Sequence, residues 1–326
     1  MSKEQFDFTG ARLMDVDAGE FRKNFNEKSF MFRHNMASHP LFELPRIALA
    51  AERMLARGDL EKFVALGGQT KSAGTKFSAM PARERLATTI TQLAEAGAWL
   101  KVSSVDTADP DYAELLQRVL FEFEELANFP LRREITWTSL TLFLASPHVV
   151  TPYHIDHESN FLFQVSGEKD ITLFDPTDRG LLSEPEIERF YAGDYQAAQY
   201  REENQPKGST YHLEPGRVVH HPPLAPHWIR NGDNVSISVS IGFCMRDIDR
   251  RARVYQVNHF LRRFGVPPTA PGRSKVSDGI KIAGIGMISK SNPTTPAEIL
   301  FSGMSRLAAP PRMLKRLVRR VVGPAS

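Results

Sequence analysis

TPYHIDHESNFLFQVSGEKDITLF, residues 151–174, decides how this chain is read. Two short runs rich in branched and aromatic residues, NFLFQV and DITLF, stand either side of a turn at Gly167, which is the pattern of paired strands. Runs of the same kind continue outward: ITWTSLTLFL from Ile135, RVVHH from Arg217 and NVSISVSIGF from Asn234, separated by Pro, Gly and Asn. In the last run, strict alternation puts Val235, Ile237, Val239, Ile241 and Phe243 on one face and Ser236, Ser238 and Ser240 on the other. Two-faced strands of this kind suit a sandwich or jelly roll, in which one face packs and the other lines solvent or a pocket.

On either side of this β region the period changes. Leu44, Ile47, Ala48, Ala51, Met54 and Leu55 recur at helical spacing with Gly58 as a stop, and Leu86, Ile90 and Leu93 mark a second helical segment. A third has Asp109 as N-cap, Pro110 at its first position, and Tyr112, Leu115, Leu116, Val119, Phe123 and Leu126 along one apolar face. Between Pro176 and Thr210 lies a charged insertion, where Ser183 and Glu186 form a capping box for a short helix bearing Ile187, Phe190 and Tyr191. Such an insertion beside a pocket reads either as a lid or as a surface excursion. The expected organisation is an N-terminal helical flank (1–130), a β core (131–245, with the insertion 176–210) and a C-terminal helical, basic extension (246–326), all in one structural unit.

Composition limits the classes open to the chain. With 326 residues, 24% charged and 41% hydrophobic, it is neither disordered nor fibrous. A single cysteine, Cys244, excludes an intramolecular disulfide framework and any multi-cysteine metal site, so a reducing compartment, the cytoplasm, is expected. No secretory signal and no stretch of ~20 apolar residues is visible. The net charge of +3 is unevenly placed, because six basic and no acidic residues lie between Arg306 and Ser326. There Leu314, Leu317, Val318 and Val321 form an apolar stripe beside Lys315, Arg316, Arg319 and Arg320. Docking of this helix on its own domain, or on a second subunit as a homodimer, is favoured over nucleic acid or membrane.

The chemistry gathers around His154 and Asp156. Residues two apart on a strand point the same way, so this imidazole and carboxylate can hold neighbouring positions on a metal ion. A second histidine from a distant strand would complete the facial triad of the non-haem Fe(II) oxygenases, which leaves three coordination positions open. His227, in PPLAPHWIRN, is the candidate, with His220 and His221 as decoys. His157 falls on the opposite parity from His154 and reads as a hydrogen-bonded rim residue.

In the order and spacing of these residues the chain resembles the cupin-like JmjC oxygenases that use Fe(II) and 2-oxoglutarate, especially the branch around the asparaginyl hydroxylase that inhibits hypoxia-inducible factor. The motifs run from about residue 138 to 245. The resemblance implies a double-stranded β-helix in which Thr151 contacts the cosubstrate, His154, Asp156 and His227 hold iron, Asn160 is a polar pocket residue, and Lys169 pairs with the C5 carboxylate of 2-oxoglutarate. Ser240 stands where the hydroxylase has an asparagine, near the metal-chelating end. Retention of Asp156 speaks against halogenation, since the halogenase branch has a small residue there.

What the resemblance implies is a dioxygenase that consumes dioxygen and 2-oxoglutarate, releases succinate and carbon dioxide, and hydroxylates a substrate C–H or demethylates through hydroxylation. The substrate, a small molecule or a peptide side chain, is not legible. Arg33, His34, Trp99 and Trp228 are weak candidates for a substrate channel. Two other classes compete: a metal cupin that works without 2-oxoglutarate, for which Lys169 is the discriminator, and a JmjC-like binding or regulatory protein acting through its basic C-terminal helix.

Overall fold

The computed structural model describes residues 12–56, 64–68, 72–74, 79–80, 90, 93–95, 97–290, 298 and 300–304. The basic helix expected at the C-terminus, and most of the helical segment around Leu86, lie outside the described residues. The chain divides into two compact units, residues 1–183 with 198–248, and residues 184–197 with 249–326.

In the first unit, strands β1 (Met14–Asp15), β2 (Phe30–His34), β3 (Val64–Gly68), β4 (Ala79–Met80) and β5 (Ala98–Val102) alternate with helices α1 (Ala18–Asn24), α2 (Leu44–Ala56) and α3 (Pro110–Ala127). Eight further strands then follow: β6 (Ile135–Ala145), β7 (Val150–His154), β8 (Ser159–Ser166), β9 (Lys169–Leu173), β10 (Ser209–Leu213), β11 (Arg217–His221), β12 (His227–Asn231) and β13 (Ser236–Met245). They form two antiparallel sheets. The larger has the order β1-β2-β11-β8-β13-β6-β5-β3-β4 and the smaller β10-β9-β12-β7. Strands β6 to β13 are thus dealt between two facing sheets, which is a double-stranded β-helix, or jelly roll. The N-terminal flank is more than helical. Its short strands carry no period of their own and extend the large sheet by pairing with β11 and β6.

The large sheet has one mainly apolar face. Phe161 and Phe163 of β8 lie opposite Ile241 and Val239 of β13, and α1 and α3 bring Phe21 and Phe123 against them. Phe123 and Phe161 meet at 4.1 Å between ring centroids and Phe21 stacks on Phe161 at 5.9 Å, so aromatic packing adds to the area buried. Helix α3 begins as its sequence predicts, with Asp109 accepting from the Asp111 amide and Pro110 following it. The Asp109 carboxylate also takes two bonds from Arg46 and one from Arg53, which ties α2 to the start of α3.

The opposite face of the large sheet turns toward the small one. Between them lies a second, smaller core of Leu162, Ile171, Leu173, Leu213, Val219, Ala225 and Ile229. Its far end is closed by a complete polar network. Gln164 donates to Ser236 at 2.9 Å and to the Ser166 and Gly167 carbonyls, while Ser238 donates to Gln164 at 2.6 Å. At the turn after β8, Gly167 has φ +65°, and a Cβ there would meet the Val235 carbonyl oxygen at 2.2 Å, so only glycine fits.

The second unit contains α4 (Glu184–Tyr191), the helix expected within the insertion, together with α5 (Arg246–Arg263) from Asp249 onward and α6 (Lys275–Ile288). Arg262 makes a two-pronged pair with the buried Glu188 carboxylate at 2.7 and 3.0 Å, and Tyr191 stacks on Tyr255 at 5.7 Å.

Candidate functional site

Register brings the candidate residues together. His227 at the start of β12 lies directly opposite His154 at the end of β7, and also opposite Leu173 of β9. Asp156 follows two residues after His154. The three side chains offer ligand atoms that all lie within 4.8 Å of one another. The His154 and His227 ring centroids are 4.1 Å apart, and His227 Nε2 is 3.7 Å from an Asp156 carboxylate oxygen.

Each imidazole is oriented by the main chain. His154 Nδ1 is 2.7 Å from the Pro152 carbonyl and His227 Nδ1 is 3.0 Å from the Ala225 carbonyl. A carbonyl only accepts, so both Nδ1 atoms carry the proton and both Nε2 atoms present lone pairs, which is how metal-binding histidines are held by their outer partners. Burial, reinforced by His154, pushes His227 down to about 4, although Asp156 pulls the other way. Desolvation works to raise Asp156, but the His154 and His227 rings outweigh it and hold the carboxyl below its usual range. The triad therefore presents His227 as a neutral ring and Asp156 as a carboxylate at neutral pH.

A shift in register supplies the next residue. Between His227 and Ile229, two apart on β12, the partner strand β7 advances three residues, from His154 to Thr151. Residues opposed across a ladder share a face, so this bulge turns Thr151 to the same side as His154 despite their odd spacing. Lys169 faces that side too, because it opposes Asn231, two residue pairs beyond Ile171–Ile229 and four beyond Leu173–His227. The Lys169 side chain is 4% exposed, and no carboxylate of a described residue pairs with it. Burial alone lowers its ammonium to about 7.

From the large sheet, Asn160 lies opposite Gly242 and Ser240 opposite Leu162, and Ser240 Oγ donates to Asn160 Oδ1 at 2.8 Å. Both side chains are buried. Asn160 also opposes His221 of β11.

The two histidines treated as decoys separate. His220 belongs to the apolar face, stacked on Phe161 at 4.3 Å, with Nδ1 toward the Asn160 carbonyl and Nε2 accepting from the Asn26 amide. His221 turns the other way, its ring edge-on to His227 at 4.8 Å between centroids, and neither of its nitrogens has a hydrogen-bond partner among the described residues. His157 stays out of the triad, as its parity suggests, and its Nε2 lies 3.1 Å from Cys244 Sγ. His34 is a core residue rather than a channel residue, packed on Phe163 with Nε2 against the Gln164 carbonyl. Trp228 donates to Gln205 at 3.1 Å, and Arg33 is exposed on β2.

Two residues of this interior were missed in the sequence. His221 carried a usable signal, since adjacent residues of a strand face opposite ways and one of the two had to point inward. Asn231 carried none. It opposes Lys169, gives its amide hydrogen to the Val149 carbonyl at 2.8 Å, and leaves Oδ1 buried with no partner among the described residues.

This arrangement of strands, with a two-histidine, one-carboxylate cluster inside a double-stranded β-helix, is that of the cupins. Residues 53–248 match the family model described as the cupin-like domain, more than half of the chain. The chain belongs to that family. Among solved structures it is similar to YcfD, a ribosomal oxygenase from Escherichia coli, in complex with cobalt and 2-oxoglutarate, at 16% identity over 94% of this chain and 68% of that one, with a TM-score of 0.46. Another crystal structure of the same oxygenase aligns at 16% identity over 88% and 69%, with a TM-score of 0.47. The DMSP lyase DddQ from Ruegeria pomeroyi aligns at 14% identity over 33% of this chain and 38% of that one, with a TM-score of 0.22. The curated proteins contain no match.

Proposed function

We propose that the protein is an Fe(II)- and 2-oxoglutarate-dependent dioxygenase that hydroxylates a substrate C–H and releases succinate and carbon dioxide. The observation that carries the reading is Lys169, a buried cation with no counter-ion among the described residues, turned toward the same interior as the triad. A lone buried ammonium is unfavourable unless something anionic joins it. Four residue steps along β9 separate Lys169 from the position opposite His227, roughly 13 Å at strand rise. The lysine side chain and a five-carbon dicarboxylate together span that gap.

The donor set fits the metal. Two imidazoles, from the end of β7 and the start of β12, and a carboxylate from the turn just after β7 make a facial arrangement that suits Fe(II) and leaves positions for other ligands. Bound there, the iron and cosubstrate would supply oxidative decarboxylation and activation of dioxygen. The chain's own part is to hold His154, Asp156 and His227 in place through their backbone partners, to neutralise the distal carboxylate with Lys169 and offer it the Thr151 hydroxyl, and to keep stray water out with the apolar residues between the sheets.

The test is succinate formation by the purified protein with Fe(II), 2-oxoglutarate and dioxygen, and without substrate if turnover is uncoupled. Formation that needs both iron and 2-oxoglutarate, and disappears in Asp156→Ala, supports the reading. Metal binding with no cosubstrate binding and no succinate leaves a cupin of other chemistry.

A further inference from the structure

His221 is the one side chain of the interior that neither the triad nor the lysine accounts for. It is 4% exposed and both ring nitrogens lack a partner among the described residues. Native folds leave few buried polar atoms in that state, so each asks for an explanation. Poor local packing does not supply one. At the far end of the same interior, every hydrogen-bonding group of the Gln164 side chain is engaged with Ser166, Gly167, Ser236 or Ser238. One residue earlier, His220 has both nitrogens engaged. Of the unpartnered groups in this interior, the two His221 nitrogens lie at the triad end, while Asn231 Oδ1 lies beside Lys169.

The surroundings of His221 narrow what the missing partner is. Its ring lies against that of His227, and across the ladder it opposes Asn160, whose Oδ1 already receives the Ser240 hydroxyl hydrogen. Ser240 therefore has no hydrogen left for a ligand. An imidazole in any protonation form carries at least one N–H. His221 thus offers a donor beside the metal cluster, at the end of the interior remote from Lys169.

We propose that His221 donates a ring N–H to the keto-acid end of the cosubstrate, so that this chain grips 2-oxoglutarate by a lysine at one end and a non-ligating histidine at the other. The inference rests on the dioxygenase reading above. It makes His221 a binding residue and not a fourth metal ligand, in keeping with its absence from the set of ligand atoms that converge.

The experiment uses the full chain, anaerobic, with Co(II) in place of iron. Binding of Co(II), of 2-oxoglutarate and of succinate is measured by calorimetry for the wild type, His221→Leu and His221→Gln, and each metal-free protein is melted. Succinate keeps a carboxylate for Lys169 but lacks the keto-acid end. The expected result for His221→Leu is a loss of 2-oxoglutarate affinity of about 10- to 100-fold, the range for a hydrogen bond to a charged group, with Co(II) and succinate affinity changed less than about two-fold. Its metal-free melting temperature holds or rises, because an unpartnered polar ring has been replaced by an apolar one. His221→Gln, which keeps an N–H donor, recovers most of the affinity. Unchanged 2-oxoglutarate binding in His221→Leu overturns the inference. So does a parallel loss of Co(II) affinity or a lowered melting temperature, each of which assigns the ring to metal binding or to structure. A wild type that takes up Co(II) but no 2-oxoglutarate overturns the dioxygenase reading, and this inference with it.

Discussion

The two faces of β8 and β13 are built from alternate residues of the same strands, yet they are finished to different standards. One carries Phe161, Phe163, Val239, Ile241 and Phe243 against α1 and α3, and the His220 imidazole that enters it has both nitrogens satisfied. The other carries Asn160, Ser240 and the neighbouring His221, and faces Lys169, leaving an imidazole and an ammonium without partners among the described residues. Folding stability is drawn from the first face. The second holds groups that lower stability until a ligand arrives, which is the usual price of a preformed site.

If that contrast is right, substitutions on the two faces separate activity from stability. The largest effect is expected for Asp156→Ala, which removes the anionic ligand: succinate formation falls by on the order of 1000-fold or more while the melting temperature of the metal-free protein holds. Phe161→Ala on the apolar face does the reverse, costing about 3–5 kcal/mol in urea unfolding by leaving a cavity among Phe21, Phe123 and His220. A Phe161→Ala protein that keeps its stability would show that the aromatic face is not the foundation of the fold.

Lys169→Met sharpens the comparison from the other side. It is expected to weaken 2-oxoglutarate about 100-fold by calorimetry while making the ligand-free protein more stable by about 1–3 kcal/mol, since a buried unpaired cation is gone. The pH dependence follows from the same residue. With the free ammonium lowered to about 7 by burial, it is charged below that pH in the free and bound states alike. Above it, binding a dicarboxylate must take up a proton, so affinity is highest below pH about 7 and falls by up to tenfold per unit as pH rises. Affinity flat from pH 6 to 9 would contradict the pairing. The smallest effect belongs to the outside of the small sheet, where His212 and Asp170 pair at 2.8 Å but both are at least half exposed. His212→Ala is expected to shift stability by no more than about 0.5 kcal/mol and cosubstrate affinity not at all.

The jelly roll was legible because alternation survives in the interior strands, and the Ser–Val–Ser–Ile run around Ser238 reads out both faces directly. His154, Asp156 and His227 were legible as well, since a strand-end pair and a distant histidine are the residue types that a divalent ion needs. The strands of the N-terminal flank were not, because β1 and β4 are two residues long and owe their conformation to neighbours remote in sequence. His221 was set aside with His220 on their shared residue type, although their opposite parity already placed them on different faces. Asn231 had no local signal, because its role depends on which residue β9 sets beside it.

The register shift between β7 and β12 has a consequence for how this stretch tolerates change. Thr151 and His154 share a face only through the extra residue in Pro152–Tyr153, so the count of residues there matters more than their kind. Replacing Tyr153 alters its ring contacts with Phe174 and Tyr200, whereas deleting it would rotate the threonine to the outside and leave the imidazole where it is. The segment thus depends on its length more than on its letters.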